Sequence, residues 1–413
     1  MTGPRTVLYV QQFGDGGSVT SLLDLVRGLD PSRYRPVVVF RTTNPFVAEF
    51  EALDARVVCM FDDAPAVVAP SSALGRRNVD GSRSGSLRRE VRRWVRRDLP
   101  AYRRLRAITQ AERPALIHAN NEIRTNRDAL LTSVRLRIPV VVHMRWLYDQ
   151  PDGDLTVPTD RLLAKAVARF FFISRAAAET YGRLRIPEPK QIVVDNPFAI
   201  DDYRAEPSAE LADELGVGGA GPVLVHIGRI TPWKGQDVLL RALPAILEHD
   251  PATRVVFVGA ATDAKGEAFE VELRDLVAAL GLTDQVHFVG ARRDIADVLA
   301  LATVVVHCST TPEPFGRVVV EAMAAQRPVV AARAGGVPEI VTDGVTGRLV
   351  APSDPDGLAR GVIELLADPA ASDAMAARAR AEVEQRFSIE AHSRVVQAAY
   401  DQVLSSRREP RRS

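Results

Sequence analysis

Two carboxylates eight residues apart, Glu313 and Glu321, frame the stretch TPEPFGRVVVEAMAAQRPVV over 311–330. Pro312 and Pro314 each remove a backbone donor and bias the residue before them towards extended geometry, so the stretch opens as a loop. From about Gly316, Val319, Val320, Met323 and Ala324 recur at helical spacing until Pro328 ends the pattern, which puts Glu321 two turns into a helix. The start of such a helix presents the N–H groups of Phe315, Gly316, Arg317 and Val318, and the positive end of its dipole, to an anion. Carboxylates flanking a diphosphate cradle suit the hydroxyls of a sugar nucleotide. The plainer alternative is an ordinary strand, loop and helix with two solvated Glu residues.

Other residues converge on the same chemistry. In LVHIGRITPWKGQDVLLRAL a strand runs into Gly228-Arg229, and a turn leads to Lys234-Gly235 before a helix. Arg229 and Lys234 are two cations at one strand-end edge, suited to offsetting the charge of a leaving diphosphate. Further on, AGGVPEIVTDGVTGRLVAP supplies Gly335 and Gly336 in a turn and Glu339 near a short helix start. In the first half, QQFGDGGSVTSLLDLVRGL carries Gly14, Gly16 and Gly17 ahead of a helix, where a ligand can approach the backbone. His143 closes the strand pattern PVVVHMRW and is expected to face the carboxyl edge of its sheet, as are His118 and Asn120. An imidazole there can bond a sugar hydroxyl or stabilise developing charge, or can be structural.

The elements that must position these residues emerge from apolar runs, each succeeded by a helical pattern. They are 6–10, 35–40, 56–60, 116–119, 140–143 and 169–173, then 223–227, 254–258, 286–289, 303–307, 328–331 and 347–350. That alternation predicts two doubly wound α/β domains with parallel sheets, joined near 198–205, whose ligands sit at the carboxyl ends of the strands. The expected boundaries are 1–198 and 199–387. A last helix over 388–404 has an apolar stripe of Ala391, Val395, Val396, Ala399 and Tyr400, and the Arg-rich tail 405–413 is expected to be disordered.

Residues 71–86 read as a mobile loop, and 87–106 as a basic amphipathic helix with Trp94 among aliphatic residues. This helix can lie on an anionic membrane surface or be solvated with Trp94 packed on the domain. With 53 Lys and Arg against 52 Asp and Glu, the chain has no global field for nucleic acid. Two cysteines in apolar settings, Cys59 and Cys308, fit a reducing cytosol and offer no metal cluster. No run approaches the roughly 20 apolar residues of a membrane span, and no signal peptide is visible.

Gly228-Arg229 with Lys234-Gly235, Glu313-Pro-Phe-Gly through Glu321-Ala-Met-Ala, and Gly335-Gly336-Val-Pro-Glu339 through Thr346-Gly347 resemble the retaining glycosyltransferases of the GT-B fold, family four. The resemblance is specific over 223–366 and in register earlier at Gly16-Gly17, His143, Ser174 and Asn196. It implies two Rossmann-like domains facing across a cleft, the C-terminal one holding the nucleotide diphosphate sugar, with UDP or GDP expected. It also implies that the C-terminal helix crosses back to the N-terminal domain. It assigns Glu321 to the ribose hydroxyls, Glu313 to the donor sugar, and Arg229, Lys234 and the backbone of Gly316 to Val319 to the diphosphate. The base falls near Gly290 to Arg292, and His143 is the implied active-site histidine. The implied reaction is metal-independent transfer with retention, in which the acceptor attacks from the face the diphosphate leaves. Gln326 stands where a glycine is usual, and GAATDAKGEAFEVEL is longer than the usual turn. Alternatives are a small-molecule acceptor, an epimerase or phosphorylase on the same fold, or a non-enzymatic binding protein.

Overall fold

The computed structural model describes residues 3–14, 16–61, 98–148, 157–219 and 221–406. The described chain forms two compact units: residues up to Phe198 together with Ile389 onward, and Ala199–Ser388. The break falls at Phe198 and Ala199, at the head of the expected linker, because Ile200–Tyr203 already forms a 3-10 turn.

The first unit contains β1 (Arg5–Gln11), β2 (Tyr34–Thr42), β3 (Arg56–Phe61), β4 (Leu116–Asn120), β5 (Val140–Met144), β6 (Val167–Phe172) and β7 (Gln191–Val193). They form one parallel sheet in the order β3-β2-β1-β4-β5-β6-β7. β4 and β5 are buried at every residue, which is why they read as unbroken apolar runs instead of alternating ones. Helices cover both faces. One layer rests on Leu8, Ile117, Val142 and Phe170, the other on Val7, Tyr9, Val141 and Phe171.

Helix Ile389–Ser405 completes the second of these layers, burying Val396, Ala399, Tyr400 and Val403 against that core. Fully burying each of the two valines contributes about 1.5 kcal/mol or more. The fit depends on Gly28 at the end of helix Gly17–Arg27, where a Cβ would come within 2.0 Å of Ser393 Oγ. Of the expected basic helix, 87–97 lies outside the described residues, and the chain is helical from Leu99 to Glu112. The expected loop at 71–86 and the tail from 407 also lie outside them.

The second unit contains β8 (Val223–Ile227), β9 (Arg254–Val258), β10 (Val286–Phe288), β11 (Val304–His307), β12 (Val329–Ala332) and β13 (Arg348–Val350). They are again parallel, in the order β10-β9-β8-β11-β12-β13. The long segment after β9 is not a loop: Asp263 accepts from Gly266 N–H at 2.8 Å and starts helix Ala264–Ala279. In both sheets the strand order reverses once, between β1 and β4 and between β8 and β11. Such a reversal parts the flanking connections and opens a crevice at the carboxyl ends.

Candidate functional site

At the second reversal the carboxyl end of β11 delivers His307 and Ser309, and the loop that follows returns Glu313 to the same point. Glu313 Oε1 accepts from Lys234 Nζ at 2.5 Å, Ser309 Oγ at 2.5 Å and His307 Nε2 at 3.0 Å. The histidine bond requires its proton on Nε2, and Nδ1 is buried without a partner among the described residues. Lys234 and Glu313 have side chains only 13% and 9% exposed. Burial alone would raise the Glu313 pKa, but Lys234 and His307 reverse this and hold the group well below the usual carboxylate range. Lys234 also sits 4.4 Å from the centre of the Trp233 ring.

Backbone geometry brings the pair together. Lys234 ends a 3-10 turn whose next residue, Gly235, has φ +72, and a Cβ there would lie 2.0 Å from Cys308 O, so only glycine fits. His226 on β8 lies behind the turn, its Nε2 3.3 Å from Lys234 O; burial and then the Lys234 charge push its pKa down to about 3. Gly336 N–H donates to Glu313 O at 2.9 Å, and Glu313 bridges Gly335, so the paired glycines clamp the 311–316 loop.

The helix after this loop runs from Arg317 to Ala324 and begins one residue later than expected, because Gly316 has φ +109, outside helical geometry. Counted from Arg317, Glu321 is just over one turn into the helix and not the two turns expected. No described side chain caps its N-terminus, so the N–H groups of Arg317 and Val318 lead the helix. Arg317 Nε is 3.4 Å from Glu321 Oε1. The side chains of Phe315 and Val319 are core: Phe315 packs edge-on against Phe387 at 5.9 Å, and Val319 is fully buried, with its N–H donating to Gly316 O at 3.0 Å instead of facing outward as expected. Arg229 is half-buried, and its carbonyl accepts from Gln236 Nε2 at 3.0 Å. Arg292 follows β10, and its guanidinium binds Asp294 at 2.8 Å and Glu214 at 2.6 Å. Those bonds, Asp294 first, raise its pKa. Glu339 ends the 3-10 turn Val337–Glu339.

The first unit has its own polar cluster at the β1/β4 reversal. Asn120 Nδ2 donates to Gln11 Oε1 at 2.5 Å, and Arg145 Nε donates to Asn120 Oδ1 at 2.6 Å. Arg145, only 6% exposed, also bonds Asn196 and lies 3.4 Å from His143 Nδ1. His143 corrects an expectation: its imidazole does not stand open at the sheet edge but is fully buried. It stacks parallel on His392 of the C-terminal helix at 5.8 Å, with Phe171 at 5.6 Å. Alternation along β5 turns His143 to one face of the sheet, and helix Ile389–Ser405 covers that face. His118 Nδ1 meets Tyr400 Oη at 2.5 Å. Gly16 has φ +80 and precedes helix Gly17–Arg27, with Gly16 O accepting from Val19 N–H at 3.0 Å.

His307 and Ser309 are the site residues that sequence reasoning missed. The available signal was a histidine ending a strand directly before the Glu313 loop, the position His143 occupies in the first half.

Two parallel Rossmann-like sheets with polar clusters at their reversals place the fold in the GT-B class. The family profile for glycosyl transferases group 1 matches residues 208–382, and that for a glycosyl transferase 4-like domain matches 16–197. The D-inositol 3-phosphate glycosyltransferase of Kribbella flavida is 31% identical over 313 residues, covering 72% of this chain and 73% of that one. A GDP-mannose-dependent alpha-(1-6)-phosphatidylinositol monomannoside mannosyltransferase of Mycolicibacterium smegmatis is 35% identical over 196 residues, covering 45% and 50%. The chain spans only about half the length of the first curated relatives it matches, 53% and 50%. Among solved structures, Anabaena HepE in complex with UDP superposes with a TM-score of 0.78 at 27% identity, over 96% of this chain and 100% of that one. The same protein in complex with UDP-glucose gives the same values. The chain belongs to the group 1 glycosyltransferases.

Proposed function

We propose that this protein transfers a sugar from a nucleoside diphosphate sugar to an acceptor hydroxyl, with retention of anomeric configuration and without a metal. The observation that carries the reading is the Lys234–Glu313 pair, buried at the β8/β11 reversal beside an uncapped helix N-terminus. In this reading Lys234, Arg229 and the N–H groups of Gly316, Arg317 and Val318 take the diphosphate as its bond to the anomeric carbon breaks. Lys234 then shares its charge between Glu313 and the departing anion. Glu313, oriented through Oε1 by His307 and Ser309, receives a donor-sugar hydroxyl on Oε2, and Glu321 receives the ribose hydroxyls. The acceptor oxygen attacks from the face of departure, and its proton passes to the leaving diphosphate oxygen.

UDP is the favoured nucleotide, since HepE was solved with UDP and with UDP-glucose. GDP is the other candidate, after the mannosyltransferase relative. The base lies against the backbone from Gly290 to Arg292. No helix among the described residues is long and apolar enough to cross a membrane. The acceptor is read as lipid-linked or membrane-proximal, at the cytoplasmic face.

Incubation with UDP-, GDP- and ADP-sugars tests the reading. Slow hydrolysis of one donor, releasing a sugar of unchanged anomeric configuration by NMR, is expected. An epimerised donor, or inversion, would overturn it.

A further inference from the structure

Away from the polar clusters, the first unit has a groove of about 760 Å³ between helix Val157–Ala166 and the segment 184–190. Its floor is the edge of the hydrophobic core, with Ala164, Leu184 and Ile186 buried, while Leu162 at its lip is 65% exposed. Basic side chains build the groove. Arg161 Nε donates to Arg183 O at 2.7 Å, and Lys190 Nζ donates to Val167 O at 2.7 Å and Lys165 O at 3.1 Å, tying the two walls together. Lys165 and Arg185 stand exposed at the rim.

The surroundings share this character. Helices Leu99–Glu112, Arg127–Leu136 and Val157–Ala166 pack side by side as one layer over the same core. Their outer face exposes Arg103, Arg104, Arg135 and Arg137, and also Val134 at 56%. Acids of this layer are largely buried and paired: Asp160 bonds Arg124 at 3.0 Å and Arg127 at 3.1 Å, and Glu112 bonds Arg56 at 2.8 Å. Over 157–190 seven Lys and Arg face three Asp and Glu, in a chain whose net charge is only +1. An exposed apolar lip ringed by cations is complementary to a surface that is anionic outside and apolar just beneath.

We propose that this helix layer docks reversibly on an anionic lipid bilayer, with Leu162 and the groove at the level of the acyl chains and the surrounding Arg and Lys at the head groups. The proposal rests on and deepens the membrane-proximal reading of the acceptor, and it is argued without residues 87–97.

Vesicle sedimentation tests it, with phosphatidylglycerol/phosphatidylcholine against phosphatidylcholine alone, at low and high salt. Wild-type protein is expected to bind the anionic vesicles about tenfold or more tightly than the neutral ones, and to lose this in high salt. Leu162→Asp, and separately Lys165→Glu with Arg185→Glu, should each weaken that binding about tenfold while leaving donor hydrolysis in solution unchanged. Unaltered binding in both groove variants overturns the proposal. If Arg92, Arg93, Arg96 and Arg97 changed to Gln abolish binding while the groove variants do not, the groove fails and the membrane-proximal reading stands. Absence of salt-sensitive binding in the wild type removes both.

Discussion

The same topological device occurs twice in this chain and is filled with different chemistry. At the β8/β11 reversal a carboxylate, a lysine, a histidine and a serine converge, and the carboxylate keeps its charge because a cation lies 2.5 Å away. At the β1/β4 reversal and along β5, Arg145 is set among amides and imidazoles. Burial first, then the Arg145 charge, keeps His118 and His143 neutral, with pKa values well below the usual one. One cluster is a buried ion pair, in which each charge holds the other. The other is a packed neutral array beside a cation, and each added proton there is opposed by charge and by burial.

The largest expected effect is a difference between the two units in their response to acid. A buried histidine whose pKa is depressed binds a proton only when unfolded, so its stabilisation is complete above about 6.5 and declines as pH falls towards the folded value. For His392, at about 3 through burial, the loss is about 1.4 kcal/mol per pH unit over that window. His118 and His143 add to it in the first unit, whereas His226 is the fully buried counterpart in the second. Asp128, its pKa raised by burial, works in the opposite direction in the first unit. Glu313, being depressed, keeps its stabilisation until pH falls below about 4.5, outside the histidine window. Amide hydrogen exchange at pH 7, 6 and 5 should therefore show the first unit losing protection before the second. Simultaneous loss would dissolve the contrast.

Next in size, Lys234→Ala leaves the Glu313 carboxylate buried without its cation and should destabilise the second unit by about 3–5 kcal/mol. Donor turnover should fall with it. Glu313→Gln in the same background should recover much of the melting temperature but none of the turnover, which separates the electrostatic from the catalytic part. Glu321→Ala removes a half-buried carboxylate that pairs with the neighbouring Arg317. The fold should tolerate the change, while donor binding weakens by about 1.5–3 kcal/mol, measurable as a roughly ten- to hundredfold rise in KM. The smallest effect on turnover is expected for Tyr400→Phe, which deletes the bonds to His118 and Tyr9 at a cost of about 1–3 kcal/mol. A thermal melt should show a modest shift in the first unit and no change in KM for donor.

Much of the fold was legible because buried parallel strands have to be apolar throughout. The run 6–10 lies within β1, and 35–40 lies within β2. β7 was not legible: Gln191–Val193 is three residues long, comes after two prolines and leaves Val193 44% exposed, so no apolar run announces it. The sequence also marked the loops that carry Glu313 and Lys234, since the prolines and glycines around them dictate where strands stop and helices begin. What it could not show is that Lys234, His307 and Ser309 all meet one oxygen of Glu313. Lys234 and Glu313 are 79 positions apart and meet only because β8 and β11 become neighbours across a crossover. The burial of His143 was likewise decided at a distance, by a helix almost 250 residues later whose His392 and Tyr400 fill the face that a strand-end histidine would otherwise present to water. Local pattern specifies which residues lie at a sheet edge, and only the packing of remote elements specifies which of them are open, charged or enclosed.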